Sequence, residues 1–236
     1  MSYSARLPYD TLREVRVEVS RRVKPGKMLL PAVSAVEFLS TPFNVRLIDL
    51  ERADGNTTIE EQIIIVSLAT QRRVKALFEF GTFDGTTTAN LATNLPDSEI
   101  LTIDLPSQQE SSALLRLGNA DRKFIRKERI GAKLGGFPQV TKLYGDTARF
   151  DFSPWYGTRD FVFVDACHEY EYVRNDTEAA LRLLKPGGTI VWHDYGGWMG
   201  VTRALNEYYA TDPRLRGLVN VRGTTLAVLD HSYQIR

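Results

Sequence analysis

The sequence predicts an α/β fold: a mainly parallel sheet with helices on both faces and an antiparallel last strand. Five short apolar segments, most of them separated by helical patterns, lie between residues 57 and 195, and parallel strands require such helical crossovers. Two further strand-like segments, 218–223 and 224–230, meet at Arg222-Gly223 with no room for a helix between them. They should therefore pair as an antiparallel hairpin.

The first helix is predicted over residues 57–74. Its apolar residues recur at helical spacing, namely Ile59, Ile63, Ile64, Val66, Leu68 and Ala69. Thr58 is followed three residues later by Glu61, a spacing typical of a capping box at a helix N-terminus.

The strands and helices that follow can be placed in order. The five strands are predicted at 76–80, 99–104, 139–146, 160–166 and 189–195. A glycine turn leads from the first of them into a helix, a second helix ends at Pro186-Gly187-Gly188, and a third covers residues 201–210. Because ligands of such sheets bind at the carboxyl ends of the strands, functional residues are expected there.

Composition excludes several classes of protein. The 236 residues carry 30 Lys and Arg against 29 Asp and Glu, a net charge of +1, so no nucleic-acid partner is predicted. Cys167 is the single cysteine, which excludes an internal disulfide framework and a cysteine-based zinc finger. The longest apolar run, 63–69, is too short to span a bilayer, and the first residues lack a secretory signal. We expect a cytoplasmic protein without a membrane partner.

The glycine turn carries the first functional signal. In FEFGTFDGTTT, residues 78–88, Glu79 closes a strand, Gly81 permits a tight turn and Gly85 permits close approach of a ligand before the next helix. Asp104 ends the second strand about 20 residues further on, where its carboxylate can accept hydrogen bonds from both hydroxyls of a ribose.

Together, FEFGTFDGTTT and LTIDLP (101–106) resemble the class I S-adenosylmethionine-dependent methyltransferases, specifically the small O-methyltransferase-like branch with the pattern E-x-G-x-x-x-G-x-T followed by I-D. The similarity continues through YGDTARF (144–150) and through 161–195, and it covers about residues 57–230. It implies a Rossmann-like, doubly wound sheet of seven strands and S-adenosylmethionine as cofactor. The implied cofactor-binding residues are Glu79, Gly81, Thr82, Phe83, Gly85, Thr87, Asp104, Asp146, Thr147 and Asp165.

A metal site is implied at the same rim. Asp165 ends the fourth strand and His193-Asp194 end the fifth, so the topology places all three side by side. In the metal-dependent O-methyltransferases resembled here, the corresponding residues bind a divalent ion that holds the acceptor hydroxyl. His193 stands where a carboxylate is usual, and imidazole suits Mn²⁺, Fe²⁺ or Zn²⁺ better than Mg²⁺. The metal therefore stays open, and the alternative is that His193 and Asp194 only form hydrogen bonds at the rim.

His168 is the candidate general base, with Asp165 as its catalytic neighbour. Some sugar-modifying relatives carry a histidine three residues after the strand-four aspartate, and an imidazole that titrates near neutrality suits removal of a hydroxyl proton. The alternative is that His168 caps the following helix or lies on the surface.

These observations predict a methyltransferase that acts on a hydroxyl of a small-molecule acceptor, a sugar or a secondary metabolite. Residues 57–236 would form the catalytic domain, and residues 1–56 would serve as a lid or a homodimer contact. The alternatives are a nicotinamide-dependent dehydrogenase, although GTFDG lacks the central glycine of G-x-G-x-x-G, and a nucleotide-binding module without catalysis.

Overall fold

The computed structural model describes residues 28–37, 39–40, 42–48, 55–127 and 130–230. An eight-stranded sheet runs through this part of the chain in the order β1-β7-β8-β6-β5-β2-β3-β4. The strands are β1 (Ala32–Val33), β2 (Ala76–Phe80), β3 (Glu99–Asp104), β4 (Val140–Tyr144), β5 (Arg159–Val164), β6 (Leu184–Trp192), β7 (Val219–Val221) and β8 (Ala227–Asp230).

Strand directions agree with the prediction. β8 is antiparallel to both of its neighbours, β6 and β7, and every other adjacent pair is parallel. The structure has one strand more than the predicted seven, because Ala32 and Val33 pair in parallel with Asn220 and Val221 of β7. A two-residue edge strand is too short to show an alternating pattern in the sequence.

Five α-helices accompany the sheet in the described ranges: α1 (Ile59–Gln71), α2 (Thr86–Asn94), α3 (Asn119–Lys127), α4 (Tyr170–Leu183) and α5 (Met199–Thr211). The predicted capping box at the start of α1 is confirmed. The Glu61 N–H donates to Thr58 Oγ1 over 3.2 Å, and the Thr58 N–H donates to Glu61 Oε2 over 3.0 Å.

Alternate residues of the central strands point to two separate hydrophobic cores. Leu77, Phe161 and Phe163 pack with α1 and α2 on one face of the sheet. Phe78 and Val162 pack with α4 and α5 on the other. Because both faces are covered, the central strands are apolar on both sides, and the predicted doubly wound arrangement is confirmed.

The chain enters β6 earlier than predicted. α4 ends at Leu183, and the strand begins at Leu184 and continues through Pro186-Gly187-Gly188 to Trp192. The pairing register between β5 and β6 shifts between Arg159 and Phe161 to accommodate this segment. Proline removes the backbone N–H that a helix would need, so the helix stops before it while an irregular strand start is tolerated.

The segment before residue 57 lies partly against the sheet. The Leu30 N–H donates to the Tyr195 hydroxyl over 3.0 Å, and the Leu29 N–H donates to Asn206 Oδ1 over 3.1 Å. Residues 1–27 lie outside the described residues, so the lid or homodimer contact assigned to residues 1–56 stays a prediction. No helix in the described ranges combines the length and apolar character needed to cross a membrane.

Candidate functional site

A cavity of about 280 Å³ lies at the carboxyl ends of β2, β3, β5 and β6. Parallel strands bring their ends to one edge of the sheet, which is where the sequence placed the functional residues. Nine of the predicted site residues line the cavity: Gly81, Phe83, Asp104, Asp146, Thr147, Asp165, His168, His193 and Asp194.

The turn after β2 brings two strand ends close together. Gly81 has a φ of +91° and donates its N–H to the Ile103 carbonyl over 2.8 Å. A Cβ at this position would overlap the backbone oxygen of Asp165 at the end of β5. Glycine is therefore required both for the backbone conformation and for the close approach.

Asp104 anchors this turn from the end of β3. Its Oδ2 accepts the N–H groups of Thr82 at 3.0 Å and Phe83 at 2.7 Å, and its Oδ1 accepts the Leu105 N–H at 2.7 Å. Burial raises the pKa of Asp104, although the three hydrogen bonds favour the ionised form. A carboxylate has about four acceptor positions, so Asp104 keeps capacity for about one ligand hydroxyl.

Four predicted cofactor residues lie outside the cavity wall: Glu79, Thr82, Gly85 and Thr87. Glu79 is buried and accepts hydrogen bonds from the hydroxyls of Thr88 and Thr102. Burial raises its pKa from 4.5 to about 8. Thr87 Oγ1 lies 3.3 Å from Gln62 Nε2. Thr82 and Gly85 belong to the glycine turn itself, and contact of all four residues with a cofactor stays a prediction.

Asp146 is fixed at the wall by three donors. It accepts the Leu114 N–H over 2.6 Å, the Ala148 N–H over 3.0 Å and the Tyr172 hydroxyl over 3.0 Å. Thr147 follows it along the wall. The two residues form a polar end of the cavity, and their role in binding adenine stays a prediction.

After the carboxyl ends of β5 and β6, Asp165, His168 and Asp194 form a carboxylate–imidazole cluster. Each offers one ligand atom, and these atoms lie within 4.8 Å of one another, which marks a potential metal site within the described residues. His168 Nε2 lies 3.0 Å from Asp194 Oδ2. Asp194 adopts a φ of +64°, an uncommon conformation for a residue with a Cβ.

The cluster differs from the expected metal-binding set, which contained His193 in place of His168. His193 Nδ1 lies 2.8 Å from Asp165 Oδ1, and its Nε2 lies 3.3 Å from Glu61 Oε2. Nδ1 also lies 3.3 Å from Asp194 Oδ2, so one ring nitrogen faces both carboxylates of the cluster and the other faces Glu61. The structure thus places His168 in the cluster with Asp165 and Asp194 and places His193 beside both carboxylates, and metal binding by Asp165, His193 and Asp194 stays a prediction.

The His168 ring is held in place by carboxylates at both of its nitrogens and by an aromatic ring stacked on its face. Its Nδ1 lies 2.6 Å from Asp121 Oδ1, and its ring stacks on Trp198 at 4.3 Å. Burial lowers the pKa of His168, but Asp121 and Asp194 outweigh this effect and raise it to about 10. Two carboxylates thus favour the protonated form of this imidazole, and its role as general base stays a prediction.

Two functional neighbours were missed by the sequence analysis. Asp121 lies in a helix whose basic residues dominate its pattern, and Glu61 was interpreted only as part of a capping box. Their contacts with His168 and His193 span 47 and 132 residues of sequence. No local signal could have identified these partners.

Comparisons with known proteins agree with this geometry. A family model described as a methyltransferase domain matches residues 78–195, half of the chain. No curated protein sequence matches significantly.

One similar solved structure is the O-methyltransferase TomG from Streptomyces achromogenes, which is involved in tomaymycin synthesis and was crystallised with S-adenosylmethionine. It aligns with a TM-score of 0.50 and 17% identity, over 96% of this chain and 90% of that one. A methyltransferase from Podospora anserina, bound to S-adenosylhomocysteine, aligns with a TM-score of 0.55 and 17% identity over 96% and 88% of the two chains.

A third similar structure is an O-methyltransferase from Bacillus cereus in complex with S-adenosylhomocysteine, with a TM-score of 0.50 and 17% identity over 95% and 91% of the chains. These likenesses confirm the predicted Rossmann-like fold. Because the family model spans half of the chain and includes the glycine turn, Asp104 and the carboxylate–imidazole cluster, this protein belongs to the methyltransferase domain family.

Proposed function

We propose that the protein transfers a methyl group from S-adenosylmethionine to a hydroxyl of a small-molecule acceptor. The observation that carries this proposal is a single cavity that joins the glycine turn and Asp104 to the cluster of Asp165, His168 and Asp194. One end offers the features of a nucleoside site, and the other offers polar groups for a hydroxyl. Similar structures that contain S-adenosylmethionine or its product support the assignment.

The proposed cofactor side fits the residues present. The turn after β2 passes close over the end of β5 because Gly81 has no Cβ, and Asp104 stands at the wall with acceptor capacity for a ribose hydroxyl. Asp146 and Thr147 would line the adenine end of the same cavity.

The reaction needs alignment more than covalent catalysis. The acceptor oxygen would attack the methyl carbon in line with the sulfur; the carbon–sulfur bond breaks, S-adenosylhomocysteine leaves, and the hydroxyl proton passes to a carboxylate oxygen of Asp165 or Asp194. Asp165, His168 and Asp194 would hold the hydroxyl at the required position. Orientation of this kind can supply about 7 to 11 kcal/mol of barrier reduction.

A divalent cation fits the donor set of the cluster. Two carboxylates and one imidazole suit Mn²⁺, Fe²⁺ or Zn²⁺ better than Mg²⁺, which prefers oxygen ligands. Such an ion would supply Lewis-acid stabilisation of the oxygen that loses its proton. We propose Asp165, His168 and Asp194 as its ligands.

The wall near the cluster is largely apolar. Leu117, Phe124 and Trp198 line it beside His168, and the rings of Phe124 and Trp198 lie 6.3 Å and 4.3 Å from the imidazole ring. Apolar walls with a few convergent polar groups are typical of small-molecule sites. Within the proposed acceptor classes, this wall favours a secondary metabolite with an apolar body over a sugar.

Calorimetric titration with S-adenosylhomocysteine tests the cofactor assignment. We expect micromolar-range binding to the wild-type protein, and for Asp104→Asn a loss of about tenfold or more, because a hydrogen bond to a charged group contributes about 1.5 to 3 kcal/mol. Asp97→Asn is the matched control, since Asp97 is exposed at the other end of β3, and it should bind like wild type. Unchanged affinity in Asp104→Asn would contradict the assignment.

A further inference from the structure

Two further buried side chains adjoin the cluster. Glu61, at the start of α1, and His193, at the end of β6, form a continuous line with Asp165: Glu61 Oε2 lies 3.3 Å from His193 Nε2, and His193 Nδ1 lies 2.8 Å from Asp165 Oδ1. Glu61 and His193 are only 1% and 5% exposed. A buried imidazole thus contacts a proposed ligand, and a buried carboxylate contacts that imidazole.

Glu61 makes more contacts than helix capping requires. Its Oε2 accepts the Thr58 N–H of the capping box, and its Oε1 accepts the N–H and the hydroxyl of Thr225 over 2.8 and 2.7 Å. Thr225 lies in the turn between β7 and β8. Burying a carboxylate is costly unless it is hydrogen-bonded, and these donors fix its orientation from two separate elements.

His193 is oriented by its two carboxylate partners. Asp165 and Glu61 lie on opposite sides of the ring, so rotation of the imidazole would break both contacts. Asp194 Oδ2 also lies 3.3 Å from Nδ1. Because Glu61 is itself held in place, its contact with the ring fixes the ring, and the ring in turn restricts the orientation of the Asp165 carboxylate.

We propose that Glu61 and His193 are positioning residues that hold Asp165 in the orientation in which it binds a divalent cation with His168 and Asp194. This inference rests on the proposed function. Carboxylate ligands of metals are themselves hydrogen-bonded, and loss of such an outer partner typically weakens metal binding 10- to 100-fold. Neither residue would touch the ion or the acceptor.

Titration of the purified protein with Mn²⁺ alone, followed by calorimetry, tests the inference. Glu61→Gln keeps the side-chain length but has one acceptor oxygen instead of two, so it cannot serve Thr225 and His193 together. His193→Phe keeps a ring and removes both nitrogens. We expect both variants to bind Mn²⁺ at least about tenfold more weakly than wild type.

Thr58→Ala is the matched control. It removes the capping hydroxyl, which donates to Glu61 Oε2 over 2.8 Å, and destabilises the start of α1 by about 1 kcal/mol. Both carboxylate oxygens of Glu61 are retained, so its contacts with His193 and Thr225 can persist. It should lower the melting temperature without weakening Mn²⁺ binding. A purely structural role of Glu61 would instead give the same Mn²⁺ affinity in Glu61→Gln and Thr58→Ala.

Three results would overturn the inference. Unchanged Mn²⁺ affinity in Glu61→Gln with a strong loss in His193→Phe would make His193 a ligand rather than a positioning residue. Unchanged affinity in both variants would remove the role altogether. No Mn²⁺ binding by wild type would remove the metal site and this inference together, while binding of S-adenosylhomocysteine in the same preparation would leave the methyltransferase function intact.

Discussion

Individual side chains at this site serve the fold and the cavity at once. Asp104 accepts hydrogen bonds from the N–H groups of Thr82 and Phe83 in the turn after β2, and it also lines the cavity. Glu61 caps α1 and reaches His193. Residue identity at these positions is therefore constrained twice, and a substitution changes both the local backbone structure and the arrangement of side chains at the cavity.

Glu79 makes stability depend on pH. The native carboxyl keeps its proton up to about pH 8, whereas in the unfolded chain it loses the proton near its ordinary pKa of 4.5. Between these values the native state binds more protons, so the free energy of unfolding falls as pH rises. The contribution of this one group is at most about 1.4 kcal/mol per pH unit.

In Glu79→Gln, we expect a smaller decrease of unfolding free energy between pH 5 and pH 8 than in wild type, because the amide does not ionise. Urea denaturation at several pH values measures this difference. Asp97→Asn, at an exposed position, should retain the wild-type slope. An identical slope in Glu79→Gln would show that Glu79 does not titrate in this range.

At the residue scale, the sequence predicted where polar side chains converge, but it did not predict which of them contact one another. The ends of β2, β3, β5 and β6 were correctly identified as the places where polar residues converge, because strand ends can be located from local patterns. The place of His168 between Asp121 and Asp194 was not predictable, because side-chain direction after a strand depends on residues such as Asp121 that belong to other elements.

At the scale of elements, the turn between β2 and α2 determines how closely strands approach. Gly81 holds the loop against the end of β5, and Gly85 precedes α2 with a φ of +93°. A Cβ on Gly85 would lie 2.7 Å from Leu134 Cγ. The bounds of β2 and β3 coincide with the predicted segments, since both are short apolar runs ended by a turn or by a charged residue.

Gly81→Ala should destabilise the protein by about 2 kcal/mol or more, because the new methyl group meets a backbone oxygen and the positive φ is unfavourable for alanine. Denaturant unfolding measures this loss, and binding of S-adenosylhomocysteine should be abolished in the folded fraction.

Gly135→Ala is the matched control. Its φ is −63°, and a Cβ there would meet no heavy atom of the described residues within 4 Å, so we expect a change within about 0.5 kcal/mol. Equal stabilities of the two variants would contradict the role given to Gly81.

At the scale of the whole molecule, the cavity is formed by elements that are distant in sequence. Its wall includes residues from Gly55 to Trp198, and the strands that support it are covered by two separate cores. A ligand that contacts all of these strand ends would bind the native chain and not the unfolded one. Binding should therefore stabilise the domain as a unit.

Thermal unfolding checks this expectation and separates two enzyme classes. S-adenosylhomocysteine at 100 times its dissociation constant should add about 2.7 kcal/mol, a rise of roughly 5 to 10 °C in Tm for a domain of this size. NAD at the same concentration should leave Tm unchanged. The opposite pattern would favour the nicotinamide-dependent dehydrogenase over the methyltransferase as the proposed activity.

The order of strands and helices, the capping box, the glycine turn and the acidic residues at strand ends were determined by the sequence alone, because each depends on contacts between near neighbours in the chain. Only the tertiary structure decided the eighth strand, the inclusion of His168 in the cluster and the contact of Glu61 with His193. These features depend on pairs separated by up to 190 residues, such as Arg222 and Ala32. Local patterns fix where the backbone turns, whereas long-range packing decides which side chains meet.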